Sequence, residues 1–108
     1  MPIYEQVSKS LGNRDIEAYL DLLHEEGTFV FHKSGAQYTT DEWSVIAASA
    51  LANEGFVQLS SRCLFEAEEM LVTHAFMSYP DGSKESVIAV LTKKDEKIIR
   101  METGSTPI

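Results

Sequence analysis

The sequence predicts an α+β fold in which helices come first and long antiparallel strands follow. Two observations carry that prediction. Apolar residues recur at helical spacing through much of the first half of the chain, and from residue 56 the period changes to two. A third sets the architecture: three helices can cover only one face of such a sheet, leaving the other for solvent or a partner.

Each element follows in order. Ile3, Val7 and Leu11 predict a short amphipathic helix over residues 3–11, broken by Gly12-Asn13. Asn13 is the expected N-cap of a second helix, with Ile16, Tyr19, Leu20 and Leu23 as its buried stripe and Glu25-Glu26-Gly27 as its close. A strand follows with Phe29 and Phe31 on one face and Val30 and His32 on the other. Lys33-Ser34-Gly35 turns the chain, and Ala36 to Tyr38 returns as a short strand. Thr39-Thr40-Asp41-Glu42 is a capping box, in which Thr39 caps the backbone and Glu42 reaches back. Trp43, Ile46, Ala47 and Ala50 set the face of the third helix, and Gly55 is its expected stop.

Residues 56–67 alternate as a long strand, and Glu68-Glu69 turns it. Met70 to Tyr79 is the next strand, closed by the hairpin turn Pro80-Asp81-Gly82-Ser83. Glu85 to Thr92 is apolar on both faces at its centre, Val87-Ile88-Ala89-Val90-Leu91, and is expected to be buried on both sides. Lys93 to Lys97 is a polar turn before the last strand, Ile98 to Thr103.

Composition narrows the functions. The 108 residues suit one domain, 1–108, with a single core. A formal net charge of −8 argues against nucleic-acid backbones and against anionic membranes. One cysteine, Cys63, excludes an internal disulfide and a cysteine-based zinc site, and its usual setting is a buried structural thiol. Met1-Pro2-Ile3-Tyr4-Glu5 lacks the pattern of a signal peptide, and no apolar run is long enough to span a bilayer, so a cytoplasmic location is expected. No phosphate loop, nucleophile elbow or Ser/His/Asp arrangement occurs, and no cofactor is expected.

Asn13 to Glu26, Phe29-Val30-Phe31-His32-Lys33-Ser34-Gly35 with Thr40-Asp41-Glu42-Trp43, Pro80-Asp81-Gly82-Ser83, and Asp95 to Met101 together resemble the nuclear transport factor 2-like superfamily, among its SnoaL-like and related small domains. The resemblance implies a cystatin-like cone, a strongly bent antiparallel sheet wrapped around three N-terminal helices, with an apolar cavity at its open end. It also implies a homodimer through the outer sheet face. Its ketosteroid isomerases carry a general-base aspartate on the strand after the second helix. Matching Asp15-Ile16-Glu17-Ala18 to their helix puts Phe31 at that position. Their proton-donating acid lies on the penultimate long strand, where this chain has Val87 to Leu91. A phenyl ring cannot abstract a proton, so this chain departs from that enzyme.

On this fold, Tyr19, Phe29, Phe31, Trp43, Met77, Tyr79 and Met101 are the expected cavity set, for a small apolar or aromatic ligand. The same periodicity also fits plain core packing. His32 is a candidate acid–base residue or a turn histidine facing solvent, and His74 either lines the cavity or faces a partner. His24, His32 and His74 lack the close spacing of metal ligands, so no metal site is expected. Glu66, Glu68 and Glu69 read as solvated hairpin charges. Arg100 and Glu102 share a strand face and are expected to bind a polar ligand or to pair across strands with Arg62 or Glu85. Three functions remain: a small-molecule-binding domain, a SnoaL-like acid–base enzyme (isomerase, cyclase or dehydratase) using a histidine, and a non-catalytic homodimerisation module.

Overall fold

A computed structural model describes residues 2–108. The helices are α1 (Tyr4–Gly12), α2 (Ile16–Leu20) and α3 (Thr40–Ala52), and the strands are β1 (Leu23–Phe31), β2 (Ala36–Thr39), β3 (Val57–Glu66), β4 (Met70–Ser78), β5 (Lys84–Lys94) and β6 (Lys97–Pro107). They form one curled, unclosed sheet in the order β2-β1-β6-β5-β4-β3. β3 to β6 pair antiparallel, while β1 joins β6 in parallel.

The second helix is shorter than its pattern predicts. Asp15, not Asn13, caps it, accepting from the Ala18 amide at 3.1 Å. Asn13 instead ends α1, and Arg14 takes a left-handed backbone with φ of 57°. Leu23 is buried, as its helical spacing from Ile16 predicts, but it belongs to β1.

Two polar devices fix the helix ends. Thr39 and Glu42 form the capping box of α3, at 3.2 and 2.9 Å. At its other end α3 stops at Ala52, three residues before Gly55, and the Arg14 guanidinium donates to the carbonyls of Leu51, Asn53, Glu54 and Phe56. A cation at a helix C-terminus also opposes the dipole.

The core lies between the helices and the concave sheet face, with Phe29, Leu71 and Ile98 fully buried in it. Burying such side chains contributes about 1.5–3 kcal/mol each. β5 is not buried on both sides: Ala89 and Leu91 face inward, while Ile88 on the convex face is 49% exposed. Among the described residues no helix is long and apolar enough to cross a membrane.

Two side chains depart from expectation. Cys63 is exposed rather than buried, on a strand whose register shifts between Gln58 and Ser60 and again between Cys63 and Phe65. Glu66 is no solvated hairpin charge: it accepts from the amides of Ile3 and Tyr4 and pairs with the buried Lys93 at 2.9 Å. Burial works to raise its pKa, but the Ile3 amide, the Lys93 ammonium and the Tyr4 amide outweigh it and hold the carboxyl below its ordinary value.

Candidate functional site

A cavity of about 560 Å³ opens between α1, α3 and the concave face of the sheet. Its inner wall is aromatic because Phe31 on β1, Tyr38 on β2 and Trp43 in the first turn of α3 converge. The Phe31 and Trp43 rings lie 4.9 Å apart, and Tyr38 lies 5.8 Å from Phe31 and 6.5 Å from Trp43. Tyr19 from α2 completes this wall, its hydroxyl accepting the Trp43 indole N–H at 3.0 Å. Burial pushes the Tyr19 phenol up to about 12, against a smaller lowering by Trp43.

Val7 and Leu11 of α1 and Ile46 of α3 add apolar surface, and Ala75, Met77, Val87, Ala89 and Met101 project from the inner face of the sheet. The Phe56 and Tyr79 rings pack tilted to one another, 5.9 Å apart, along one side, and burial raises the Tyr79 phenol. The rim is polar: Lys33, Ser34, Asp81, Ser83 and Glu85 stand there, and the Lys33 ammonium pairs with the buried Glu85 carboxylate. Asp81 is held below its ordinary pKa by the Ser83 hydroxyl and amide.

Of the sequence-predicted set, Tyr19, Phe31, Trp43, Met77, Tyr79 and Met101 line this cavity. Phe29 does not: it is wholly buried behind Trp43, with ring centroids 6.1 Å apart, so it supports the wall from outside. Neither candidate histidine reaches the cavity. His32 projects on the convex face, 3.1 Å from Glu102, with most of its side chain exposed. His74 is also on the convex face, receiving the Arg62 Nε–H at its Nδ1 (3.2 Å) and standing 2.7 Å from the Ser86 hydroxyl. Because Nδ1 is the acceptor, Nε2 carries the proton and donates to Ser86. That polarity is the reverse of what activates a serine.

Arg100 pairs with Glu102, whose carboxylate also meets His32, and neither pairs with Arg62 or Glu85. Arg100 first, then His32, holds the Glu102 carboxyl below its ordinary value. The sequence offers Glu85 as an outer-face partner of Arg100 and Glu102, because it precedes the apolar run of β5 and resembles a surface charge, but it turns inward. Its odd-numbered phase with Ala89 and Leu91 is the signal that places it inward. Among the described residues no group of three or more His, Cys, Asp and Glu side chains is placed to hold a metal ion. A second recess of about 590 Å³ lies between α1, α2 and the β5–β6 turn, but its lining is mostly polar and charged, from Gln6 and Lys9 to Asp95, Glu96 and Lys97. The aromatic cavity is the better-formed site for a small molecule.

No family model matches the sequence, and no curated protein does. Solved structures do match. An NTF2-like protein of unknown function from Cytophaga hutchinsonii superimposes with a TM-score of 0.79 at 10% identity, over 96% of this chain and 87% of that one. The chain has the nuclear transport factor 2-like fold. A steroid delta-isomerase from Pseudomonas aeruginosa shares it, with a TM-score of 0.73 at 19% identity, over 97% of this chain and 77% of that one. So does a protein with a ketosteroid isomerase-like fold from Catenulispora acidiphila, solved in complex with trimethylamine, with a TM-score of 0.68 at 17% identity, over 94% of this chain and 83% of that one. At these identities the likeness is one of fold.

Proposed function

We propose that this nuclear transport factor 2-like domain binds a small apolar or aromatic molecule in the cavity beneath its sheet. The observation that carries the reading is the aromatic wall of Tyr19, Phe31, Tyr38 and Trp43 around a space of about 560 Å³, within the range of small-molecule sites. The trimethylamine complex of the Catenulispora protein supports ligand binding on this fold. Thermal-shift screening of small acids and aromatic compounds tests it. A ligand at a hundredfold its Kd stabilises the native state by about 2.7 kcal/mol. A screen in which no compound raises the Tm argues against the reading.

A second reading, compatible with the first, is that two copies pair through the convex sheet face. Leu59, Phe65, Phe76 and Ile88 are exposed there, with Phe65 at 55%, and a monomer rarely leaves such a surface open. The histidine-based acid–base enzyme is the least favoured reading, since both imidazoles lie across the sheet from the cavity.

A further inference from the structure

Two buried hydroxyl groups in the cavity wall hold protons that no group among the described residues receives. The indole nitrogen of Trp43 carries a hydrogen and no free lone pair, so in its contact with Tyr19 it can only donate. Tyr19 Oη is therefore the acceptor, and its own proton is unspent. No carbonyl, carboxylate or hydroxyl among the described residues accepts it, although Tyr19 is only 3% exposed. Thr103 is the companion case. It lines the same cavity at 7% exposure, and its hydroxyl, which still reaches the open space, makes no hydrogen bond among the described residues. Thr103 stands opposite Phe31 in the strand register, and Phe31 packs on Trp43, so both hydroxyls flank one aromatic wall.

Resting on the ligand-binding reading above, we propose that the Tyr19 and Thr103 hydroxyls form the polar subsite of this cavity and hold an uncharged acceptor oxygen, a carbonyl or an ether, on an otherwise apolar ligand. Three features select that chemistry. Tyr19 already accepts from Trp43 and still offers its own proton, so an acceptor completes its hydrogen bonding. Accepting the indole N–H also polarises the phenol and strengthens its own donation. A charged oxygen is disfavoured because neutral hydroxyls do not offset its desolvation. Lys33 is committed to Glu85 at the rim, where Asp81 adds a further negative charge. The raised phenol pKa keeps the Tyr19 donor protonated throughout the physiological range.

The test uses two naphthalenes of nearly the same shape, 2-acetylnaphthalene and 2-isopropylnaphthalene, titrated calorimetrically into the full chain. The carbonyl band of the ketone is followed by infrared difference spectroscopy. The expected result is that the ketone binds about tenfold more tightly, as one buried neutral hydrogen bond provides. Its carbonyl band should move to lower wavenumber on binding, and Tyr19→Phe should abolish both the preference and the band shift while still binding the hydrocarbon. Thr103→Val should reduce the preference, and it decides the matter if Tyr19→Phe does not fold. Equal affinities in the wild type, or a preference that survives both substitutions, overturns the subsite with the ligand-binding reading intact. Failure of both naphthalenes to bind overturns the two together.

Discussion

Glu66 and Lys93 form an ion pair at 2.9 Å, and the same carboxylate receives the amide protons of Ile3 at 2.7 Å and Tyr4 at 3.3 Å. No side chain of α1 caps its own N-terminus, so a residue more than sixty positions away does so. The consequence is functional as well as structural. Tyr4, Val7 and Leu11 of α1 form one wall of the cavity, and Glu66 ties that wall to β3 and β5.

Removing one partner of this pair should be costly. Lys93→Met leaves the Glu66 carboxylate mostly buried without its cation, and we expect a loss of about 3 kcal/mol in urea unfolding. Acid should act on the same group. Its folded pKa lies below the ordinary 4.5, so its contribution is present above that value and is lost as pH falls through the folded pKa. Thermal melts between pH 6 and pH 3 should show Glu66→Gln, less stable at pH 6, losing less on acidification than the wild type.

Tyr19 produces the opposite pH dependence. With its folded pKa raised to about 12 from 10.0, its contribution is full below pH 10 and lost as pH rises toward 12. A shift of that size corresponds to about 2–3 kcal/mol. Unfolding followed by circular dichroism should lose stability across that window in the wild type, and the Tyr19 component should be missing in Tyr19→Phe.

Gly27 is required for space. A Cβ there would lie 2.6 Å from Thr40 Oγ1 and 2.8 Å from the Phe29 ring. Neither neighbour yields easily: Thr40 Oγ1 accepts from the Gly27 amide and donates to the His24 carbonyl, and Phe29 is fully buried. Gly27→Ala should therefore cost about 1–3 kcal/mol, read from denaturant midpoints.

If the convex face joins two copies, sedimentation should give a dimer at micromolar concentration. Ile88→Asp, in the middle of that face, should give a folded monomer. A wild-type monomer at that concentration counts against the pairing.

Much of the fold was legible because its signals are local. The Thr39–Glu42 box, the Pro80–Ser83 turn and the change of period near residue 56 each depend on a few adjacent residues. What was not legible depends on distant ones. The length of α2 was masked because Leu23, buried at the start of β1, falls where one more helical turn would also bury it. Cys63 is exposed because the edge strand β3 is uncovered on both faces from Arg62 to Phe65, which a period-two reading does not reveal. β5 looked buried on both sides because its convex residues are apolar, although nothing in the single chain covers them. At the site, the aromatic set was readable from Phe31 and Trp43, but one strand step of two residues separates cavity-lining Phe31 from wholly buried Phe29. The Arg14 and Glu66 anchors join residues decades apart in sequence, and no local pattern announces them.

The central claim is that a ligand enters this cavity, and the methionines test it most directly. Met77 and Met101 line it, whereas Met70 stands elsewhere on the sheet as an internal control. In methyl-labelled protein titrated with 2-acetylnaphthalene, the Met77 and Met101 resonances should shift saturably while Met70 stays in place. Shifts confined to Met70, or no saturable shift in any of the three, would contradict the account.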